Sequence, residues 1–185
     1  MVQPTQTRIS TDDYYELPTY AEHDLVQLIA GEVIISMPPI PKHQAIVREI
    51  IVLFTLFARE HGGQAFTSPI EVVLDKHNVF EPDVIYLAPD SRCTIGEKRL
   101  TGPPELVVEV LSPGTAKYDR QEKYIAYEKH RVSEYWIIDP LHETFEVWGL
   151  GKDGQFGRQG VYTRGDAFTS STLQQDIEIR SIFGV

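Results

Sequence analysis

A single glutamate lies within the most apolar stretch of the sequence and indicates chemistry more directly than any other residue. The segment 105–111 reads ELVVEVL, and Glu109 has a valine on each side. In a strand, Val107 and Leu111 share its face. A carboxylate buried there is costly, or becomes protonated, unless a cation, a metal or several hydrogen-bond donors accompany it. Glu109 is therefore either a metal ligand or the partner of a structural Lys or Arg at a strand edge.

Asp83 supplies a second carboxylate, near the start of another apolar segment, EPDVIYLA at 81–88. By itself Pro82-Asp83 carries little weight, because Pro-Asp is common in turns and the Asp could simply cap the strand. Its value comes from the pairing with Glu109. Two carboxylates on neighbouring strands can chelate a hard divalent cation such as Mg²⁺ or Mn²⁺, to which the carbonyl of Val110 could add a backbone ligand.

A charged pair follows in the next predicted helix. Asp119 and Lys123 are four residues apart and share a helix face. One interpretation is an exposed salt bridge worth about a few tenths of a kcal/mol. In the other, Lys123 reaches back toward Glu109 and supplies the cation that the strand lacks.

His43 and Glu32 are further candidates with simple alternatives. His43 lies near the start of the first long predicted helix, and Glu32 lies at a predicted hairpin turn. A helix-start histidine and a turn acid need no function. The other histidines lack metal-ligand spacing, and no glycine-rich phosphate loop occurs.

The elements that must position these residues alternate between strands and helices. Apolar residues recur at steps of three and four in the long helix, and Val and Ile dominate the strands. The first predicted element is a short helix that Thr11 caps and that Pro18 ends after Leu17. In chain order there follow a hairpin over 25–37, an amphipathic helix over 43–63, strands over 66–74, 81–88 and 105–111, a helix over 118–130, a strand over 133–139 and a hairpin over 143–163. This order predicts an α/β protein with a mixed sheet flanked by helices.

Composition limits the number of domains and the compartment. The 185 residues suffice for one core, and we expect residues 1–185 to form a single domain. The lone cysteine, Cys93, excludes an internal disulfide and argues against a cysteine zinc site. The N-terminus has no secretory signal pattern, and no apolar run approaches the roughly 18–20 residues of a membrane span. We therefore expect a cytoplasmic protein without a membrane partner.

The charge balance restricts how the chain could meet nucleic acid. Its formal net charge is −10, which argues against a protein that coats nucleic acid through bulk positive charge. An enzyme that contacts a phosphate through a metal is not excluded. Lys and Arg are concentrated before and after segment 105–111, so the sequence is compatible with a local positive face on an acidic molecule.

The motifs together resemble a known family. Pro82-Asp83 followed by ELVVEVLSP resembles the PD-(D/E)XK nuclease superfamily, and the chain is more closely similar to the Uma-type restriction endonuclease family. The matching pieces are LIAGEVIISMPP, HQ, EPDVIYLA, the stretch 103–140 and the closing hairpin. The resemblance implies a restriction-endonuclease-like fold, with a four-stranded mixed core sheet, flanking helices and additional N- and C-terminal hairpins.

The resemblance also implies roles for individual residues. Asp83 and Glu109 are expected to be metal ligands. The superfamily lysine normally stands two residues after the acid, where this chain has Leu111; Lys123 matches a family position in the following helix, and Asp119 another that could orient it. Glu32 and His43 also fall on family-typical positions. Ala30 departs from the Asp that the family often has before Gly-Glu.

The implied activity is Mg²⁺- or Mn²⁺-dependent endonucleolytic hydrolysis of DNA. In that scheme Lys123 positions or deprotonates the attacking water, or stabilises charge on the phosphoryl oxygens. Two alternatives remain at this point: a non-catalytic binding or scaffold protein with the nuclease fold, and a phosphodiesterase for a smaller or single-stranded substrate. A homodimer is expected because twofold dimers are common and two-strand cleavage needs two sites.

Overall fold

A computed structural model describes residues 8–22 and 25–184 of the chain. Residues 1–7, on which the expectation about a secretory signal partly depends, lie outside it. The helices are α1 (Thr11–Tyr15), α2 (Pro18–Glu22), α3 (Pro41–His61), α4 (Ala116–Arg120), α5 (Glu122–Lys129) and α6 (Ile179–Phe183). The strands are β1 (Val26–Ile29), β2 (Glu32–Ile35), β3 (Gln64–Thr67), β4 (Val72–Asp75), β5 (Asn78–Phe80), β6 (Val84–Leu87), β7 (Thr94–Ile95), β8 (Leu100–Thr101), β9 (Leu106–Val110), β10 (Glu134–Asp139), β11 (Thr144–Leu150), β12 (Phe156–Tyr162), β13 (Ala167–Thr169) and β14 (Asp176–Glu178).

Six strands form the first of two mixed sheets, which we call sheet I. Their order is β12-β11-β10-β9-β6-β3. The pair β9 and β10 is parallel, joined by a crossover through α4 and α5, and the other neighbours are antiparallel. The central strands β6 and β9 are buried along their whole length, because both faces of sheet I are covered.

A second six-stranded sheet, sheet II, has the order β2-β1-β5-β4-β8-β7. It contains the N-terminal hairpin of β1 and β2, which is confirmed where the sequence predicts it. The short strands β13 and β14 form a separate antiparallel pair.

Helix α3 covers one face of sheet I and a second core fills the other. The α3 residues Ile46, Ile50 and Phe54 are completely buried against alternate residues of β6 and β9. The residues of β6 and β9 on the opposite face, such as Ile85 and Val107, join Tyr127 of α5 in the second core. The predicted α/β class and the amphipathic long helix are thus confirmed.

Three predicted boundaries are wrong. The segment 66–74 is not one strand, because the chain leaves sheet I after Thr67 and joins sheet II at Val72. The helix over 118–130 is divided at Gln121, whose φ of −123° and ψ of −81° are not helical. Near the N-terminus, Ser10 caps α1 through its side chain instead of Thr11, and Pro18 begins a second helix instead of only ending the first.

Within the described part of the chain, no helix combines the length and the apolar character that crossing a membrane requires.

Candidate active site

The pairing of β6 with β9 places the two predicted carboxylates opposite each other. The antiparallel register aligns Val84 with Val108. Asp83 directly precedes β6 and Glu109 follows Val108, so continuing this register aligns Asp83 with Glu109. Both point away from the face of Val84 and Val108, because side chains alternate along a strand. The backbone N–H of Val110 donates to Asp83 Oδ2 at 2.7 Å and fixes the Asp83 side chain on this strand end.

Glu109 is buried and has two side-chain donors. Lys123 Nζ lies 2.9 Å from Glu109 Oε1, and the Tyr127 hydroxyl donates to the same oxygen at 2.7 Å. Burial is the main reason that the pKa of Glu109 lies above its ordinary value. The carboxylates of Asp119 and Asp83 raise this pKa further, against the opposing effect of Lys123. Glu109 therefore lies in a site where another cation would stabilise its charged form.

Lys123 bridges two buried acids. Its Nζ atom is 3.0 Å from Asp119 Oδ1 as well as 2.9 Å from Glu109, and its side chain is 1% exposed. Burial alone lowers the pKa of Lys123, but Asp119 and Glu109 outweigh burial and raise it above its ordinary value. Burial likewise raises the pKa of Asp119, against the effect of Lys123. Lys123 is thus an ammonium ion at neutral pH, and its ion pair with Asp119 is not the exposed salt bridge of the simpler interpretation.

The first turn of α3 brings His43 to Asp83. His43 Nε2 lies 3.4 Å from Asp83 Oδ2, and the histidine is 6% exposed. Burial acts to lower the pKa of His43, but the Asp83 carboxylate and the Val110 backbone outweigh it and raise this pKa. Among the described residues, His43 Nδ1 has no hydrogen-bond partner.

These groups line one cavity of about 320 Å³. Its wall includes Asp83, Glu109, Val110, His43 and Lys123. Asp119 does not line the cavity but pairs with Lys123. The other lining residues come from segments 25–27, 36–44 and 68–69, together with Glu81, Ser112 and Thr115.

Glu32 is not brought to this site. It begins β2 with an exposed side chain and does not line the cavity. Burial is the main reason that the pKa of Tyr118 in α4 is raised, and the nearby Glu32 carboxylate raises it further. The position of Glu32 fits the simpler interpretation of an acid next to a hairpin turn.

The donor atoms fit a hard divalent cation with few protein ligands. The part of the chain that the structure describes contains no cluster of three His, Cys, Asp or Glu side chains that could hold a metal. Asp83 and Glu109 can provide two carboxylates and Val110 a carbonyl. Mg²⁺ commonly binds through one or two carboxylates and keeps several waters. The mutual repulsion that helps raise the pKa of Glu109 is also what such a cation would relieve.

Tyr127 is a site residue that the sequence analysis missed. It is fully buried and contacts Glu109 directly. The available signal was its spacing, because Tyr127 follows Lys123 by four residues and so shares its helix face. Tyr135 of β10 is also buried, and its hydroxyl donates to the backbone carbonyl of Asp119.

Comparisons with known proteins bear on the family and the fold of the chain. The Uma2 family model, described as "Putative restriction endonuclease", matches residues 11–181. A curated relative from Synechocystis sp., "Uncharacterized protein sll1609", is 24% identical over 141 residues, which cover 75% of this chain and 79% of the relative. A crystal structure of "a putative nuclease belonging to DUF820" from Anabaena variabilis superposes with a TM-score of 0.77 at 19% identity, covering 95% of this chain and 98% of the other. The last likeness supports the predicted fold.

Proposed function

Because the chain belongs to the Uma2 family, we propose that it is a divalent-metal-dependent nuclease that hydrolyses phosphodiester bonds of DNA at the Asp83–Glu109 site. The observation that carries this proposal is the alignment of two carboxylates on adjacent strands, in one cavity with a buried ammonium group. A simple structural ion pair joins one acid to one lysine, whereas here Glu109 and Asp119 both contact Lys123, and Asp83 contacts His43.

The side chains have separate roles in this proposal. Asp83, Glu109 and the carbonyl of Val110 would hold Mg²⁺ or Mn²⁺. When bound, the metal supplies Lewis-acid polarisation of a phosphoryl oxygen and lowers the pKa of a water molecule. Lys123 stays protonated, because its two carboxylates raise its pKa. It therefore stabilises negative charge on the phosphoryl group and does not act as a general base.

Asp119 and His43 support these groups. Asp119 holds the Lys123 ammonium together with Glu109, and His43 contacts Asp83. Neither residue needs to exchange a proton with the substrate for this role. Cleavage of both strands of a duplex would require two such sites. For a duplex substrate we therefore also propose a twofold homodimer, which provides one site for each strand.

The enclosure of the site favours a second candidate substrate, a single strand or a small phosphodiester. The side chains of Glu109 and Lys123 are 4% and 1% exposed, and the cavity holds only about 320 Å³. One flexible strand can approach such a recess more closely than a base-paired duplex can.

The test is cleavage of labelled single-stranded and duplex DNA with Mg²⁺, with Mn²⁺ and with EDTA. Wild type should cleave only with metal, and Asp83→Asn and Glu109→Gln should each reduce the rate about 100-fold or more. Glu32→Gln is the matched control, since its carboxylate lies outside the cavity, and it should cleave like wild type. If folded wild type cleaves neither DNA substrate nor a small chromogenic phosphodiester with either metal, the protein is the non-catalytic binding or scaffold protein of the alternative interpretation.

A further inference from the structure

The hydroxyl of Tyr127 has a contact that packing alone does not require. The Tyr127 ring is fully buried, with ring centroids 5.4 Å from Phe80 and 4.9 Å from Tyr135. These contacts fix the position of the ring, and a phenylalanine would make them equally well. The hydroxyl instead donates to Glu109 Oε1 at 2.7 Å.

Both side-chain donors to Glu109 contact the same oxygen. Lys123 Nζ and the Tyr127 hydroxyl lie 2.9 Å and 2.7 Å from Oε1. A carboxylate held by two donors at one oxygen cannot rotate freely about its last bond. Because the carboxylate is planar, holding Oε1 also fixes the direction of the other oxygen, Oε2, which can then bind a further partner.

Lys123 cannot provide this orientation by itself. Its ammonium is shared between Glu109 and Asp119, at nearly equal distances of 2.9 Å and 3.0 Å. A rotatable ammonium supplies charge with little directional preference. The Tyr127 hydroxyl adds a directional donor to Glu109 without adding charge.

We propose that Tyr127 is a positioning residue, whose hydroxyl orients the Glu109 carboxylate so that Oε2 faces the metal position in the cavity. This inference rests on the proposed function, in which Glu109 is a metal ligand. Outer hydrogen-bond partners of metal ligands typically change affinity about 10–100-fold when they are removed.

The experiment is calorimetric titration of Mn²⁺ into wild type, Tyr127→Phe and Tyr135→Phe, with thermal unfolding of each. Tyr135→Phe is the matched control, because it also removes a buried phenolic hydroxyl in the same cluster, but one that donates to a backbone carbonyl. Tyr127→Phe should weaken Mn²⁺ binding about 10-fold, whereas Tyr135→Phe should stay within about 2-fold of wild type. Raising Mn²⁺ should restore cleavage by Tyr127→Phe.

Several outcomes would overturn the inference. Equal Mn²⁺ affinity of Tyr127→Phe and wild type would remove the positioning role and leave the metal site intact. Failure of Tyr127→Phe to fold where Tyr135→Phe folds would assign the hydroxyl to the fold. Absence of Mn²⁺ binding by wild type would remove the metal site and the positioning role together.

Discussion

The Lys123 ammonium lies between two buried carboxylates, so charge decides which substitutions this site can accept. Removing one member of a buried ion pair leaves the other charges without compensation, and their desolvation is no longer offset. Glu109 and Asp119 both have a pKa raised by burial even with Lys123 present. Without it, both would have to protonate or draw water into the core.

We therefore predict that Lys123→Met lowers the free energy of unfolding by about 3–5 kcal/mol. Lys129→Met is the control on the same helix, since Lys129 also pairs with an aspartate, Asp75 at 2.9 Å, but its side chain is 64% exposed. The control should lose less than about 1 kcal/mol. Urea unfolding of both variants measures the difference, and equal losses would show that the buried triad contributes no special stability.

The sequence contained enough information to find Asp83, Glu109 and Lys123 but not the Tyr127 hydroxyl, which donates to Glu109. Glu109 is conspicuous because a carboxylate in an apolar strand requires a partner, and Lys123 is a cation in the following helix. Tyr127 gives no comparable signal, because a tyrosine among buried aromatics satisfies packing whether or not its hydroxyl has a role.

The carboxylate of Asp75 links sheet II to the C-terminal end of helix α5, which carries Lys123 and Tyr127. Asp75 at the end of β4 accepts from Lys129 at 2.9 Å and contacts His130 Nε2 at 2.8 Å. It also accepts from the backbone N–H of His77 and from the Asn78 side chain. Partial burial acts to raise the pKa of Asp75, but these donors outweigh it and hold the pKa well below its ordinary value.

This lowered pKa predicts a pH-dependent contribution to stability. A carboxylate with a folded pKa below its unfolded pKa stabilises the protein above the unfolded value, and this stability is lost as pH falls toward the folded value. Asp75→Asn should therefore be less stable than wild type at pH 7, and the difference should shrink steadily below about pH 4. Urea unfolding between pH 7 and pH 3 measures it. A difference that does not change over this range would exclude the charge of Asp75 as its source.

At the scale of elements, local patterns predicted which segments are strands and helices better than they predicted how these pair. The hairpins of β1 with β2 and of β11 with β12 are confirmed because their partners are adjacent in the chain. Division of 66–74 between two sheets follows from the pairing of β3 with β6 and of β4 with β5 and β8. Of these pairs, β4 with β5 is a local hairpin that the sequence analysis did not predict. The break at Gln121 occurs without Pro or Gly, so it lacks the usual stop signal.

Across the whole molecule, the distribution of charge limits how a nucleic acid could bind. The net charge is −10, and several basic residues near segment 105–111 in sequence are already paired: Arg99 with Glu71, Arg120 with Glu146 and Lys129 with Asp75. These ion pairs reduce the net positive charge of the local face that the sequence suggested near segment 105–111. Binding should depend on contacts at the cavity more than on a broad electrostatic surface.

We accordingly predict a weak salt dependence for binding of a DNA strand. Each neutralised phosphate contributes about −0.7 to the slope of log K against log salt for single strands. With one or two phosphates bound, the slope should lie between about −0.7 and −1.4. Fluorescence anisotropy with wild type in EDTA, where it should bind without cleaving, measures the slope. A slope steeper than about −5 would indicate an extended basic surface and contradict this view of the charge distribution.

The central claim is that Asp83 and Glu109 form a divalent-metal site, and thermal unfolding with and without Mg²⁺ or Mn²⁺ tests it most directly. A metal that binds only the folded state, at ten times its dissociation constant, should stabilise wild type by about 1.4 kcal/mol and raise its midpoint by about 3–6 °C. Asp83→Asn should show no such rise, whereas Glu32→Gln should respond like wild type. A midpoint that millimolar metal leaves unchanged in wild type, or raises equally in Asp83→Asn, would contradict the metal site.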